Sequence, residues 1–438
     1  MASPPSKRMS VSSLHSQRSA SPASIRFASA PNAETEEWLQ VWESTTAQSL
    51  IGCPVVAVEG EIAVEEACDL LLSKGASCLA VTSTDNAPGA AHYSGLFDFA
   101  DVNAFLTFAA TQHTYTPEHL QGNPRVAQIL EAAKAGHVPV RLVSNLSDKN
   151  PFVELPHDAS VIALLGVFSS GLHRVFVKSP AGSSESHLGM ISDRRLLAYF
   201  STFARSSNGA APPLPSIQPS SSFFRYVSNP LSSLPLPSLH LHSDVVAAHS
   251  GNNVLDAMRM MSDLGVSSVA VLEEESGNLL SAVSITDIGQ TVVPSQSNQI
   301  LTMPIKQLVS QIKMPHGWTD GADRFPVYSV FPSSTLAYTI QKLLTTNSHR
   351  VFVISETPGS ASPSTVVRGN LSGVVSIVDI LSLFARIANI PDVDPGRMQR
   401  HRRASSASSQ GSASGNLANL ARSTSSGSIR RASGPRVA

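Results

Sequence analysis

The sequence predicts a mixed α/β fold built from four copies of one β-α-β-β-α repeat. Four times, a short apolar strand ends at an aspartate that opens an apolar helix, and the intervals between these aspartates are 92, 94 and 92 residues. Upstream of each aspartate, apolar residues at helical spacing precede a run rich in β-branched residues, which indicates a helix followed by a strand. Self-similarity at a fixed interval is typical of repeat proteins. The four aspartates are Asp101, Asp193, Asp287 and Asp379.

Two tails with a composition unlike the rest of the chain flank these repeats. Residues 1–33 contain four basic residues and no acidic one, and residues 396–438 contain eight arginines and no acidic residue. The part between them therefore holds 19 of the 31 basic residues and all 32 acidic ones. Both tails are rich in Ser and poor in apolar residues, so we predict that they are disordered and that the core is acidic.

The tails also contain three sites that match the preference of basophilic kinases for two basic residues, a spacer and a serine. They are KRMS at Ser10, RRAS at Ser405 and RRAS at Ser433. Each phosphate would add a charge of about −1.5 to −2, which would cancel the attraction of a basic tail for the acidic core. Phosphorylation is therefore predicted to release the tails.

The elements between the tails follow in a regular order. Residues 34–48 predict a short helix with Trp38 and Trp42 on one face, either packed on the protein's own domain or available as an anchor for a partner. A linker rich in Ser and Pro, residues 206–238, has too little apolar character to order itself and divides the repeats into two pairs. The four repeats span residues 50–113, 140–205, 239–295 and 322–390.

Several function classes are disfavoured by the sequence. The longest apolar run, 161–168, is too short to cross a bilayer, and the N-terminus lacks the apolar block of a secretory signal. The three cysteines, Cys53, Cys68 and Cys78, fit no zinc spacing, so we predict no metal site. Phosphate-binding loops, zinc-protease helices and hydrolase elbows are absent, so we predict no enzyme. An acidic core argues against direct nucleic-acid binding.

SAVSITD in repeat three fits the pattern G/S-x-x-S/T-x-S/T-D, which resembles the CBS domain. GVVSIVD in repeat four has Val378 at the second hydroxyl position, and repeat two has Met190 at the first. Two pairs of such repeats in one chain resemble the gamma subunit of the AMP-activated protein kinase. His173-Arg174 and His349-Arg350 precede the middle strand in repeats two and four, and this alternation is similar to that subunit. The resemblance implies two CBS pairs, or Bateman modules, packed together as a disc.

The Ser/Arg-rich tails and the linker make the whole chain similar to the fungal "suppressor of dis" family of tandem-CBS proteins. That resemblance implies a non-enzymatic adaptor in a phosphatase or kinase pathway. It also implies roles in cell-cycle progression and DNA replication, in cell separation, and in the response to stress or nutrients. We expect a cytoplasmic protein with a nuclear fraction.

The resemblance further implies adenine nucleotide (AMP, ADP or ATP) as a regulatory ligand, bound between paired repeats. An aspartate can accept both ribose hydroxyls, a Ser or Thr can donate to a phosphate, and His with Arg supplies positive charge. The best candidate pocket combines Asp287 and Asp379 with His349 and Arg350, and a second contains Asp193 with His173 and Arg174. The full candidate set is Ser284, Thr286, Asp287, His349, Arg350, Ser376, Asp379, His173, Arg174, Ser192 and Asp193.

Other interpretations stay open at this point. Repeat one has Asp98 and Ala100 at the two positions where the pattern has hydroxyls, and an anionic group there would repel a phosphate. Each aspartate could simply cap its helix, and each histidine could be an ordinary polar residue at a strand entrance. The alternative function is a CBS scaffold that binds no nucleotide and acts through protein partners.

Overall fold

The computed structural model describes residues 33–83, 92–111, 124–149, 151–183, 186–205, 221–239, 245–295, 299–313, 328–355, 370–391 and 393. Apart from Ala33, the two predicted tails lie outside these residues, and so do Ser10, Ser405 and Ser433. Within the described part, no helix combines the length and the apolar character needed to cross a membrane.

Repeats one and two, with the helix before them, form what we call the first module. Its elements in chain order are α1 (Ala33–Ser44), β1 (Ala57–Val58), α2 (Val64–Ser73), β2 (Leu79–Thr82), β3 (Tyr93–Phe97), α3 (Phe99–Thr111), α4 (Pro124–Lys134), α5 (Val140–Val143), β4 (Glu154–Pro156), α6 (Val161–Ser169), β5 (Arg174–Lys178), β6 (His187–Ser192) and α7 (Asp193–Arg205). A 3₁₀ turn, Ala47–Leu50, follows α1.

Repeats three and four form the second module. Its elements are α8 (Ser221–Val227), β7 (Ala247–His249), α9 (Val254–Asp263), β8 (Ser268–Leu272), β9 (Leu279–Ser284), α10 (Ile285–Ser295), α11 (Gln299–Thr302), α12 (Ile305–Lys313), β10 (Ser329–Val330), α13 (Leu336–Thr345), β11 (Arg350–Ile354), β12 (Leu371–Ser376) and α14 (Ile377–Ile387). Two 3₁₀ turns, Leu231–Ser233 and Pro237–Leu239, lie between α8 and β7.

The four repeats share one sheet topology. In each three-stranded sheet the first strand pairs parallel with the middle strand, which pairs antiparallel with the third. The register shifts at the last pair of every middle strand, for example between Val177 and Lys178 and between Val353 and Ile354. This shared irregularity and the common element order confirm the predicted mixed α/β fold of four repeats.

The repeats close into a ring in the order one, two, four, three. Helices of repeats one and three share one apolar core, and helices of repeats two and four share another. The sheets of repeats one and two pack face to face, as do those of repeats three and four. Buried residues that the two repeats contribute to these four clusters include Phe108 and Met258, Phe168 and Phe384, Cys78 and Phe176, and Ala270 and Phe352.

The second half of the predicted linker is ordered, unlike the expectation from its composition. Residues 221–239 form α8 and the two 3₁₀ turns, and Phe223 and Leu231 have no exposed surface. Both belong to the core shared by repeats two and four. The expectation was wrong here because average composition hides a few large apolar side chains, each worth about 1.5–3 kcal/mol when buried.

The helix before the first repeat packs on the protein's own core. It ends at Ser44, earlier than predicted, and both of its tryptophans are buried. Trp38 Nε1 donates a hydrogen bond of 2.8 Å to Ser222 Oγ, and the Trp42 ring lies 5.0 Å from the Phe200 ring. Of the two roles considered from the sequence, the structure therefore shows the packing role.

Candidate ligand-binding cavity

A cavity of about 390 Å³ lies where all four repeats meet. That volume is within the range of about 300–1,000 Å³ typical of small-molecule sites. Nine of the eleven candidate residues line it, and Ser376 and Asp379 are the two that do not. The nine are Ser284, Thr286, Asp287, His349, Arg350, His173, Arg174, Ser192 and Asp193.

Backbone register brings these residues together. The first residue of a middle strand lies opposite the last residue of the third strand, as in Arg174 opposite Ser192. The next helix then starts beside the residue that precedes the middle strand, because Asp193 N donates a 3.0 Å hydrogen bond to the His173 carbonyl. Ile377 N makes the equivalent 3.0 Å bond to the His349 carbonyl. The predicted His-Arg pairs therefore lie beside the helix starts. The sequence matched Asp193 to Asp379 wrongly, because Asp193 is the first residue of its helix and Asp379 is the third, and a local pattern does not show this two-residue difference in register.

Asp193 links two histidines from different repeats. Its carboxylate is fully buried, and Oδ2 lies 2.7 Å from His173 Nδ1 and 3.5 Å from His349 Nδ1. Oδ1 accepts a 2.7 Å hydrogen bond from Arg194 N. Burial favours the neutral acid, but the two imidazoles outweigh it and hold the pKa of Asp193 well below its usual range. The carboxylate is therefore ionised and joins repeats two and four.

Arg174 and Asp98 form a buried ion pair between repeats two and one. Arg174 Nη1 lies 2.7 Å from Asp98 Oδ2, and its Nη2 donates a 2.7 Å hydrogen bond to the Ser77 carbonyl. Asp98 Oδ1 also accepts from Ala100 N at 2.7 Å, which caps α3. The negative charge expected to repel a phosphate in repeat one is thus compensated by Arg174, a residue that the sequence proposed as a phosphate ligand.

In the second module, Arg350 makes a similar contact with a neutral hydroxyl in place of a carboxylate. Arg350 Nη2 donates a 3.2 Å hydrogen bond to Ser267 Oγ, so both arginines contact the serine that precedes the middle strand of their partner repeat. Nearby, Arg194 donates to the Asn347 side chain and, at 2.8 Å, to the Asn347 carbonyl. Arginine and serine, which alternate from repeat to repeat at this position, therefore contact each other across each module. The sequence alone did not show this contact.

Asp287 caps its helix and lines the cavity. Its Oδ2 accepts hydrogen bonds from Ser284 N and Ser284 Oγ at 2.9 and 2.8 Å, and Asp287 N donates to Ser284 Oγ at 3.1 Å. This reciprocal arrangement is a capping box. Thr286 lies between them in the chain and also lines the cavity. The capping role and a ligand role are therefore compatible at this aspartate.

Asp379 does not share that pocket. It makes the same reciprocal cap with Ser376, but only 1% of it is exposed. Ser238, in the 3₁₀ turn Pro237–Leu239, lies close enough to influence its titration, and burial raises the pKa of Asp379. That turn packs against β12, so the chain itself covers Asp379. The proposed grouping of Asp287, Asp379, His349 and Arg350 is therefore only partly present: three of them line the central cavity, whereas Asp379 does not, although it interacts with the charge of Arg350.

Comparison with known proteins agrees with this architecture. The CBS domain family model matches residues 239–290. Protein sds23 of Aspergillus niger is 32% identical over 310 residues, which cover 70% of this chain and 56% of the relative. Protein SDS24 of Saccharomyces cerevisiae is 28% identical over 333 residues, covering 74% and 58%. The chain thus spans little more than half the length of these curated relatives.

A solved structure gives the same fold over most of the chain. Protein MJ1225 of Methanocaldococcus jannaschii, named as an archaeal homologue of g-AMPK, superposes with a TM-score of 0.51 at 13% identity. The match covers 78% of this chain and all of that structure. The four-repeat ring defines a CBS-domain protein with two tandem pairs of repeats. This chain is more particularly a homologue of the fungal proteins named Sds23 and Sds24.

Proposed function

We propose that this protein is a non-enzymatic regulator whose central cavity binds an adenine nucleotide. The observation that carries this proposal is the convergence of imidazole, guanidinium, hydroxyl and carboxylate groups from the four repeats on one cavity. Such a set can hold both the phosphate and the ribose of a nucleotide. The size of the cavity is also compatible with a ligand of that class.

Within the cavity, the second module provides the better phosphate site. His349 and Arg350 supply positive charge, and Arg350 has Ser267 as a neutral hydrogen-bond partner. Arg174, by contrast, is paired with Asp98. Asp287, beside the Ser284 and Thr286 hydroxyls, is the proposed ribose acceptor.

The proposal is tested by titrating the full chain with AMP, ADP and ATP in a calorimeter, in the presence of a metal chelator. We expect saturable binding that Arg350→Gln weakens about tenfold or more, because a charged hydrogen bond is worth about 1.5–3 kcal/mol. Arg225→Gln, at an arginine whose side chain is 70% exposed, is the matched control and should bind like the parent protein. No heat at millimolar nucleotide, with folded protein, would contradict the proposal.

A scaffold that binds no nucleotide is the second candidate, and two observations favour it. The Arg174–Asp98 pair already satisfies one cationic group, and the chain itself covers Asp379. On this alternative, Arg350→Gln changes stability only, and no adenine nucleotide raises the melting temperature. The two candidates are thus separated by one thermal-shift series run with and without nucleotide.

The cellular role we propose rests on the homology to Sds23 and Sds24. It is an adaptor for a phosphatase or kinase pathway in cell-cycle and DNA-replication control, cell separation and stress or nutrient signalling, in the cytoplasm with a nuclear fraction. Phosphorylation of Ser10, Ser405 and Ser433 would regulate the tails. Fluorescent tagging tests the location. The double variant Ser405→Asp, Ser433→Asp tests whether phosphorylation releases the tails from the core. This hypothesis is wrong if the tail's protease sensitivity and phosphatase co-purification stay unchanged.

A further inference from the structure

We propose that His173, Asp193 and His349 form a binding site for a divalent transition-metal ion of the zinc type, held between repeats two and four. Each side chain offers one ligand atom, and these three atoms all lie within 4.8 Å of one another. The cysteine spacing that predicted no metal site could not reveal this one, because its ligands are not cysteines. His173 and Asp193 lie 20 positions apart in repeat two, and His349 lies 156 positions after Asp193 in repeat four.

Two of the three distances between the ligand atoms are close to those around a four-coordinate ion, and the third, between the two histidines, is at most 4.8 Å. Zinc binds nitrogen and oxygen ligands at about 2.0–2.1 Å in tetrahedral geometry, which places two ligands of one ion about 3.3 Å apart. Asp193 Oδ2 and His349 Nδ1 are 3.5 Å apart, close to that separation. Asp193 Oδ2 and His173 Nδ1, now a hydrogen-bonded pair at 2.7 Å, would separate by a few tenths of an ångström.

The ligands are largely preorganised. Asp193 is fully buried at the first position of α7, and the backbone N–H of Arg194 fixes its Oδ1. The side chains of His173 and His349 are 17% and 34% exposed, and both line the cavity, so an ion has a path of entry.

Nearby positive charge does not remove the site. The positive charges of Arg174 and Arg194 both lie near Asp193. Arg174 is neutralised by Asp98, and the guanidinium of Arg194 is directed to Asn347. Two imidazoles with one carboxylate favour zinc and neighbouring transition metals over magnesium or calcium, which prefer oxygen ligands.

The experiment uses the tag-free full chain, stripped with a chelator and free of nucleotide, in a Cys53→Ser background that removes the exposed thiol. Zinc is titrated by calorimetry, and cobalt is titrated as a probe by visible absorption, which reports four-coordinate geometry. We expect one ion per chain. His349→Ala should weaken binding by about 100-fold or more, since even outer-shell partners are worth about 10–100-fold. His249→Ala, at an exposed histidine of β7, is the matched control.

The melting temperature gives a further readout of zinc binding. Zinc should raise the melting temperature of the parent and of His249→Ala, but not that of His349→Ala, because an ion that binds the folded state stabilises it by mass action. The proposal is overturned if folded parent protein takes up no zinc, if His349→Ala binds zinc as the parent does, or if magnesium binds as tightly. Nucleotide binding is measured separately with chelator present, so failure of one proposal leaves the other intact.

Discussion

Arg174 Nη1 lies 2.7 Å from Asp98 Oδ2, and this ion pair joins repeats two and one beside the central cavity. Their side chains are 12% and 6% exposed, so water screens the pair little. Both groups have second partners, the Ser77 carbonyl for the guanidinium and the Ala100 N–H for the carboxylate. The pair is therefore a structural connection within the first module.

Removing one member of this pair should be costly. Arg174→Met would leave the carboxylate of Asp98 buried without its counter-ion, a change that typically destabilises by about 3–5 kcal/mol. Urea unfolding measures the loss. The double variant Asp98→Asn, Arg174→Met should recover a large part of it, because the uncompensated charge is gone. As a control, Arg225→Met breaks the exposed Arg225–Glu34 pair, and exposed pairs are worth about 1 kcal/mol or less. Equal losses for the two single variants would disprove this account.

Asp101 should make stability depend on pH. It is 2% exposed, and burial together with the neighbouring Asp98 raises the pKa of Asp101 to about 7. In the unfolded chain an aspartate titrates near about 3.9, so between about pH 4 and 7 the folded state binds more protons than the unfolded state. The free energy of unfolding therefore falls as pH rises through this window, and the loss is complete above the folded pKa.

The measurement compares Asp101→Asn with the parent protein by urea unfolding from pH 4.5 to 8. The stability of the variant relative to the parent should increase as pH rises, because the variant lacks this titration. Asp98 and Arg125, the charged groups that interact with Asp101, remain in both proteins. Asp69→Asn, at an exposed position of α2, is the control and should run parallel to the parent. If the free energy of unfolding depends on pH in the same way for Asp101→Asn and the parent, the carboxyl of Asp101 is not protonated in the folded state.

The sequence predicted the four-repeat fold because the repeat interval and the local patterns all act over short distances. Nine of the eleven candidate residues lie on one cavity, since strand register alone brings Ser192 and His173 to one end of a sheet. The sequence could not predict that Ser238 lies over Asp379, or that Arg174 pairs with Asp98. Both contacts depend on packing between distant segments, and neither leaves a local pattern.

The sequence of the linker contains a pattern that could have predicted that the chain covers Asp379. Leu234, Leu236 and Leu239 alternate with Pro and Ser, and Leu236 and Leu239 are buried. Apolar residues within a Pro-rich segment are as typical of a segment that packs on its own domain as of a flexible spacer. Average composition over residues 206–238 concealed Leu234 and Leu236, and Leu239 follows directly after that range.

Trp42 should be one of the most sensitive positions of the core. It has no exposed surface, and its ring lies 5.0 Å from that of Phe200, 5.9 Å from Phe223 and 6.3 Å from Phe384. Trp42→Ala should therefore destabilise by about 3–5 kcal/mol, the usual cost of removing a large buried aromatic residue. Thermal and urea unfolding measure it. Gln40→Ala, on the exposed face of the same helix, should change stability by about 0.5 kcal/mol or less.

If Trp42→Ala unfolds no earlier than Gln40→Ala, the helix before repeat one is not part of the core, and Trp42 would again be a candidate anchor for a partner. Trp38 provides an independent check on the same helix. Its hydrogen bond to Ser222 joins α1 to α8, so Ser222→Ala should cost about 1 kcal/mol.

Gly373 should tolerate no side chain, because the turn that covers Asp379 packs directly on it. A Cβ at this position would lie 2.7 Å from the Ser238 carbonyl oxygen and still closer to the Leu239 carbonyl. Both are backbone atoms, so the turn itself must move. Gly373→Ala should therefore destabilise by about 1–3 kcal/mol, as overpacking usually does, and lower the hydrogen-exchange protection of residues 237–239.

Gly166 gives the matched control for that substitution. It lies inside α6, and a Cβ there would meet nothing within 4 Å. Gly166→Ala should therefore stabilise the protein by about 0.5–1 kcal/mol, because alanine is the better residue within a helix. Opposite signs for the two substitutions would show that Pro237–Leu239 is fixed against β12. If Gly373→Ala is neutral and exchange at the turn is already fast in the parent, the turn does not cover Asp379 in solution, and that aspartate becomes available to a ligand.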